Sequence, residues 1–399
     1  MIVLGIHDGH NSGCAIFKNG KLICALSEER VTRKKNEYGF PFNSINFCLK
    51  FSKIKKNQID QIAVSTKKLP PKYFLVKRNT TFKLEDYFKE QNEYWYKKIY
   101  LNKKVKYLDV FHNRKVKKKY LYYDFRKVKN EDDSIGLLNA RRDYFSNFFS
   151  LDKSKIHFFD HHECHAYYGY YGSRNLNNKV CVVTLDGGGD GSNATIWKSK
   201  NGKLVEVYRT NIGNLGRMYR YITLSLGMKP TEHEFKVMGL AGYALDNDAY
   251  YKKILDIFRE TLKVSGIKFK YKKKPKDNFF YFRDKLKNQR FDSIAYGIQK
   301  YLEEILTKWF LNISKKLKVN NFIFSGGVAQ NVKASKKILE SKSIKTLFVP
   351  PGPGDESLPI GAAYCYFAKN NFDKKKISSM HNPYIGIGFE NKDLNFIRK

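Results

Sequence analysis

The 399-residue chain contains no run of eighteen apolar residues, so no membrane-spanning helix is expected. Its first residues, Met1-Ile2-Val3-Leu4-Gly5-Ile6-His7-Asp8, have neither the basic start nor the small-residue cleavage site of a secretory leader. They read as a first β-strand. Cysteine is sparse and scattered: Cys14, Cys24, Cys48, Cys164, Cys181 and Cys365 form no Cys-x-x-Cys pair. They read as reduced thiols, and the expected compartment is the cytoplasm. Acidic residues are scarce too. Only 38 Asp and Glu face 75 Lys and Arg, a formal net charge of +37. Such a field attracts nucleic acid or another polyanion. The same excess follows from the amino-acid bias of an AT-rich genome, in which Lys, Asn, Ile, Tyr and Phe rise together. What is present is a globular composition, 42% hydrophobic, over a length that suits two or three lobes.

The stretch Asp160-His161-His162-Glu163-Cys164-His165 holds three of the nine histidines. His161 and His165 are four apart, so on a helix both imidazoles share one face. That is the spacing of a metal pair. Imidazole suits zinc, iron, nickel or copper, with one or two carboxylates completing the shell. The alternative is a helix start capped by Asp160, with its histidines satisfied by the core.

Two segments share one plan. Residues 1–29 read as strand, Asp-Gly turn, strand Gly13–Lys18, an Asn19-Gly20 hairpin and strand Leu22–Ser27. Residues 180–209 repeat it: strand Val180–Leu185, the turn Asp186-Gly187-Gly188-Gly189-Asp190-Gly191, strand Ala194–Lys198, an Asn201-Gly202 hairpin and strand Leu204–Arg209. Both carry Asn-Gly-Lys-Leu at the second turn. The duplication implies two similar α/β lobes around a cleft. Gly187 and Gly188 are candidates to bring backbone N–H groups to a phosphate. A third turn, Ser325-Gly326-Gly327-Val328-Ala329-Gln330-Asn331, follows an apolar strand and precedes a helix. Alone it is a weak nucleotide-binding signal. A fourth, Pro353-Gly354-Asp355-Glu356-Ser357, presents Asp355 rigidly, as a metal ligand or an ordinary helix cap would be.

Residues 67–129 hold twenty Lys/Arg, six Asp/Glu and fifteen aromatics; residues 263–290 hold eleven Lys/Arg and two Asp/Glu around Phe279-Phe280-Tyr281-Phe282. Such mixtures suit a nucleic-acid groove, or a helical layer with aromatics inward and Lys outward. Tyr94, Trp95 and Tyr96 cannot all face one core, so some must be exposed or interfacial. Further helices are expected at 43–54, 138–149, 216–228, 248–263, 293–316 and 357–369. The expected organisation is a first-lobe core at 1–66, a basic aromatic-rich helical insertion at 67–150, and a second lobe at 151–399. That second lobe carries the 263–290 insertion and return helices.

Seven ordered motifs resemble the NodU/CmcH/TobZ family of O-carbamoyltransferases, and more distantly HypF and TsaD. They are His7-Asp8-Gly9-His10, Glu29-Arg30-Val31-Thr32-Arg33-Lys34-Lys35, Asp160-His161-His162-Glu163-Cys164-His165-Ala166 and Asp186-Gly187-Gly188-Gly189-Asp190-Gly191. Glu234-Phe235-Lys236-Val237-Met238-Gly239-Leu240-Ala241, Ser325–Asn331 and Pro353–Ser357 complete the set. The resemblance implies duplicated ribonuclease-H-like lobes of the actin/sugar-kinase/Hsp70 type. It implies carbamoyl-adenylate, or ATP, bound in the cleft with a divalent metal, iron or zinc ahead of magnesium or manganese. By motif, His161, His165, Asp355 and Asp186 would hold the metal. Asp8 and His10 would lie at the carbamoyl group, with His10 as base, and Lys35 near the phosphate or carbonyl oxygen. Gly326, Gly327 and Asn331 would border the nucleotide.

The resemblance has departures. His233 stands where the family suggests glycine. The YrdC-like half that makes carbamoyl-adenylate is expected after a junction at Asn382-Pro383-Tyr384-Ile385-Gly386, but the sequence ends at Lys399, so a separate YrdC-like protein is the expected donor source. The basic segments make a hydroxymethylated base in DNA the favoured acceptor. A small-metabolite hydroxyl is the first alternative. A TsaD-like tRNA threonylcarbamoyl transferase and a non-catalytic ATP-binding scaffold are the others. The oligomeric state is left open.

Overall fold

The computed structural model describes residues 1–173, 179–200, 202–244, 249–379, 383 and 385. The first sheet holds β1 (Ile2–His7), β2 (Gly13–Lys18), β3 (Lys21–Ser27), β4 (Gln61–Ser65) and β5 (Ile156–Phe159), in the order β3-β2-β1-β4-β5. The second lobe supplies β6 (Cys181–Gly189), β7 (Ser192–Lys200) and β8 (Lys203–Thr210), a separate hairpin of β9 (Leu262–Ser265) and β10 (Lys268–Tyr271), then β11 (Asn321–Ser325) and β12 (Thr346–Phe348). Its main sheet runs β8-β7-β6-β11-β12. In each sheet the first three strands pair antiparallel and the last two add in parallel. Order and sense are the same in both, so the repeated hairpins mark duplicated ribonuclease-H-like lobes. The central strands β1 and β6 are apolar because helices cover them. Asn19 and Gly20 both take positive φ, 51° and 81°, as a type I′ hairpin requires. Asn201 of the matching pair, and most of the expected 382–386 junction, lie outside the described residues.

β5 falls in the stretch assigned from sequence to the second lobe, yet it pairs with β4 and completes the first sheet. The expected helices occur as Phe42–Phe51, Ser134–Phe149, Leu215–Ser225, Ala249–Arg259, Phe291–Leu317 and Leu358–Lys369. The second begins early because Asp133 caps it, accepting from the Gly136 N–H at 2.9 Å. The fourth ends early because the chain turns into β9. That hairpin was not expected. Its signal is the alternation of buried Leu262 and Val264 with exposed Lys263 and Ser265.

The Leu358–Lys369 helix packs on β1 and β4 and against the His161–Gly172 helix. Contact with the latter is close: a Cβ on Gly361 would lie 2.2 Å from the Cys164 carbonyl oxygen. This approach fixes the spacing between the histidine helix and the turn carrying Asp355. The two basic segments share one core. Phe82, Tyr87, Tyr94, Tyr107 and Phe111 of the first are buried with Phe279 and Phe280 of the second and with Leu224. The aromatics that suggested a nucleic-acid groove mostly face inward, and Tyr96 and Tyr120 remain exposed. Among the described residues, no helix is long and apolar enough to cross a membrane.

Candidate metal centre and cleft

Asp160 starts the site. Its carboxylate accepts from the Glu163 N–H at 3.0 Å, capping the His161–Gly172 helix, and Arg209 donates to both of its oxygens. Helical spacing then sets the His161 and His165 rings 4.7 Å apart. Asp186 arrives on β6, and Asp355 from the turn before the Leu358–Lys369 helix. One donor atom from each of His161, His165, Asp186 and Asp355 lies within 4.8 Å of the others. His165 Nε2 is 3.2 Å from Asp186 Oδ2 and 3.5 Å from Asp355 Oδ1; His161 Nε2 stands at 3.9 and 3.6 Å from the same oxygens. Neither buried Nε2 has an aligned hydrogen bond. Orphaned imidazole nitrogens facing two carboxylates fit a divalent cation, and the mixed nitrogen and oxygen set suits iron or zinc.

Neighbours aim these groups. Thr66 Oγ1 lies 3.1 Å from His161 Nδ1, which turns Nε2 toward the carboxylates. Thr66 itself sits at φ 65°, unusual for a β-branched residue. Arg141 donates to its carbonyl at 2.9 Å. Gly189 backs His161, where a Cβ would lie 2.1 Å from the ring. Burial opposes charge on His165, but Asp186 and Asp355 outweigh it and raise its pKa to about 9. Burial resists ionisation of Asp186 and Asp355, yet the two histidines hold both far below the ordinary carboxylate range. His162 differs. Burial pushes its pKa down to about 3, and its Nδ1 pairs with Thr184 Oγ1 at 2.8 Å. It is a neutral core residue.

The cluster opens on a cavity of about 820 Å³ lined by both lobes. His10 lines it, with Nδ1 3.6 Å from Asp355 Oδ2 and a buried Nε2 that has no partner. Gly187, Gly188, Gly327 and Asn331 line it as well. The N–H groups of Gly187 and Gly327 donate to Asp186, so these turns aim its carboxylate at the cluster. Asn331 caps the Val332–Leu339 helix through the Ala334 N–H and pairs with Gln299. Gly326 is set back, donating its N–H to the Pro353 carbonyl at 2.9 Å.

Two expected residues are elsewhere. Asp8 is fully buried. Its carboxylate receives Arg141 through Nε at 2.8 Å and through a second nitrogen at 2.5 Å, plus the Tyr123 hydroxyl at 2.5 Å. It is held by these partners away from solvent and does not line the cavity. Lys35 is exposed and likewise absent from the lining. The cations that do line it are Lys68, Arg78, Arg217 and Arg220. Sequence reasoning missed these, because a chain with 75 basic residues offers no contrast by which to single out four. It also missed Asp190, which accepts from the N–H groups of His161, Lys67 and Lys68 and ties the histidine helix to the end of β4.

A family model described as Carbamoyltransferase N-terminus matches residues 2–364. An uncharacterized protein of Methanocaldococcus jannaschii is 30% identical over 98% of this chain and 61% of its own length. The nodulation protein NolNO of Sinorhizobium fredii is 24% identical over 89% of this chain and 46% of its own length. The chain therefore spans about three fifths of the first relative and under half of the second. Among solved structures, component A of the (R)-2-hydroxyglutaryl-CoA dehydratase of Acidaminococcus fermentans aligns at 13% identity with TM-score 0.48, over 93% of this chain and 98% of that one. The ROK hexokinase of Thermus thermophilus aligns at 11% identity with TM-score 0.39, over 91% and 97%. The family match runs from β1 through the Leu358–Lys369 helix and takes in every residue of the cluster, so the chain belongs to the carbamoyltransferase N-terminus family.

Proposed function

We propose that the cleft transfers a carbamoyl group from carbamoyl-adenylate to an acceptor hydroxyl. The observation that carries this reading is the His161, His165, Asp186 and Asp355 cluster opening beside an unpartnered His10. A divalent ion held by those four would supply Lewis-acid polarisation of a carbonyl oxygen. His10 Nε2 takes the proton of the attacking hydroxyl, and Asp355 orients the ring through Nδ1. The hydroxyl oxygen bonds to the carbamoyl carbon. The bond from that carbon to the phosphate oxygen breaks, and AMP leaves with the electron pair. Lys68, Arg217 and Arg220 offset the charge on the departing phosphate.

The acceptor supported best is a small hydroxyl compound, because the aromatics of the basic segments are packed in a core and do not form a groove for stacking bases. A hydroxymethylated base in DNA is the second reading, resting on the +37 charge. The donor comes from a YrdC-like activity. Six buried free thiols support a reducing, cytoplasmic setting. The test is mass spectrometry after incubation with a YrdC-like protein, ATP and carbamoyl phosphate. The acceptor panel holds sugars, hydroxymethylated nucleosides and hydroxymethylated duplex DNA. Carbamoyl on a small acceptor is the expected result. Carbamoyl on duplex alone supports the second reading. No product, with metal bound, overturns the proposal in favour of a nucleotide-binding scaffold.

A further inference from the structure

Asp8 belongs to a motif whose aspartate the carbamoyl-transfer chemistry leaves without a task. It and its partner Arg141 are both 0% exposed. Arg141 reaches beyond the Asp8 carboxylate. One terminal nitrogen donates to the Thr66 carbonyl at 2.9 Å, and the other, already on Asp8, also meets the Ser65 carbonyl at 3.4 Å. Four of the five guanidinium N–H groups are thereby aimed. The Phe158 ring lies against the guanidinium, its centroid 4.9 Å from Cζ. A buried ion pair adds little net stability over a well-packed apolar pair of the same volume. What this one supplies is position, because it fixes the carbonyls at the end of β4.

Thr66 is the residue so fixed. Its φ of 65° lies in the left-handed region, which a β-branched side chain seldom adopts. The chain just beyond it is held from the second lobe, where Asp190 accepts from the Lys67 N–H at 3.0 Å and the Lys68 N–H at 2.6 Å. Such strain persists only where the surroundings over-determine the backbone, and it concentrates at functional sites. Its outcome here is a buried hydroxyl placed 3.1 Å from His161 Nδ1.

We propose that Asp8, Arg141 and Thr66 form a positioning relay for His161. Asp8 anchors Arg141, Arg141 holds the Thr66 backbone, and the Thr66 hydroxyl accepts the Nδ1 proton of His161. That fixes the tautomer and the ring angle, leaving the Nε2 lone pair directed at the side of Asp186 and Asp355. The three are positioning residues and none is a ligand. Through the Tyr123 hydroxyl on Asp8, the relay also ties the 67–150 insertion to the centre. The proposal rests on the metal reading of the cluster and is independent of donor and acceptor.

Cobalt(II) titration of the metal-free, donor-free chain tests it, read as Kd against a competing chelator and as the visible ligand-field spectrum. Thr66→Val keeps the volume and the branched Cβ but removes the acceptor, so a buried Nδ1 proton is left unpaired. Cobalt affinity should fall by about 10–100-fold, with a changed spectrum. Thr66→Ser, which keeps the hydroxyl, should restore both. Arg141→Lys keeps the charge but cannot hold the Asp8 carboxylate and the Thr66 carbonyl together, and it should weaken cobalt binding in the same way. Because both substitutions act through one hydrogen bond, the double variant should lose less affinity than the product of the two single losses. Fully multiplicative losses overturn the relay. Wild-type affinity and spectrum in Thr66→Val overturn it, as do equal losses in Thr66→Val and Thr66→Ser. Loss of folding in Arg141→Lys leaves the Thr66 pair as the test. No cobalt binding by the wild-type chain would remove the metal reading and the relay with it. Cobalt binding without carbamoyl transfer to any acceptor would leave the relay standing and remove the transfer reading.

Discussion

His7 shows how a single side chain shapes the floor of the cleft. Its Nδ1 meets Ser65 Oγ at 2.7 Å and its Nε2 meets the His10 carbonyl at 2.8 Å, so it fixes the backbone that presents His10. Burial lowers its pKa to about 4, although Asp355 and Asp8 pull the other way. The folded chain therefore resists a proton that the unfolded chain accepts below 6.5. Stability is complete above pH 6.5 and falls as pH drops toward 4, by about 1.4 kcal/mol per pH unit. Denaturant unfolding at pH 7 and pH 5 should show a loss smaller by about 2 kcal/mol in His7→Gln than in the wild-type protein. Equal losses would contradict this. The paired histidines His161 and His165 were legible in the sequence because four-residue spacing on a capped helix puts both rings on one face. Asp8 was not, because its partner Arg141 lies 133 residues away and sequence pattern does not pair distant charges.

At the scale of elements, the centre depends on two helices packed at their backbones. The sequence shows the small residues Gly361, Ala362 and Ala363, but not that Gly361 faces the Cys164 carbonyl. Gly361→Ala places a methyl where the His161–Gly172 helix already lies. The helices must separate, carrying Asp355 away from His165. Expected is a stability loss of roughly 1–3 kcal/mol together with weaker metal binding, measured by denaturant midpoint and metal titration. Unchanged values for both would show that the close approach does not set the site. Strands and hairpins were readable because alternation and Asn-Gly turns are local signals. The π-helical turn Glu90–Trp95 was not, since Tyr94 within it packs with Tyr87 and Tyr107 in the core that holds it.

Over the whole molecule, duplication was the most legible feature, since both lobes repeat strand, turn and hairpin in the same order. The placement of β5 was hidden, because the long insertion separates it from β4. The packing of the basic aromatic segments was hidden for a related reason. Composition registers Lys and Tyr side by side but not that the aromatics of two segments distant in sequence pack together, as Phe88 and Phe279 do at 6.4 Å. The result is an aromatic core beside a cleft that carries His10 and the cluster of His161, His165, Asp186 and Asp355. The central claim is that this cluster is the metal-dependent centre of carbamoyl transfer. The direct measurement is bound metal and carbamoyl product, on one preparation each of wild-type protein and His165→Ala, with carbamoyl-adenylate supplied. The account predicts a bound divalent ion and product for the wild type, and loss of both in the variant. Undiminished product from His165→Ala would contradict it.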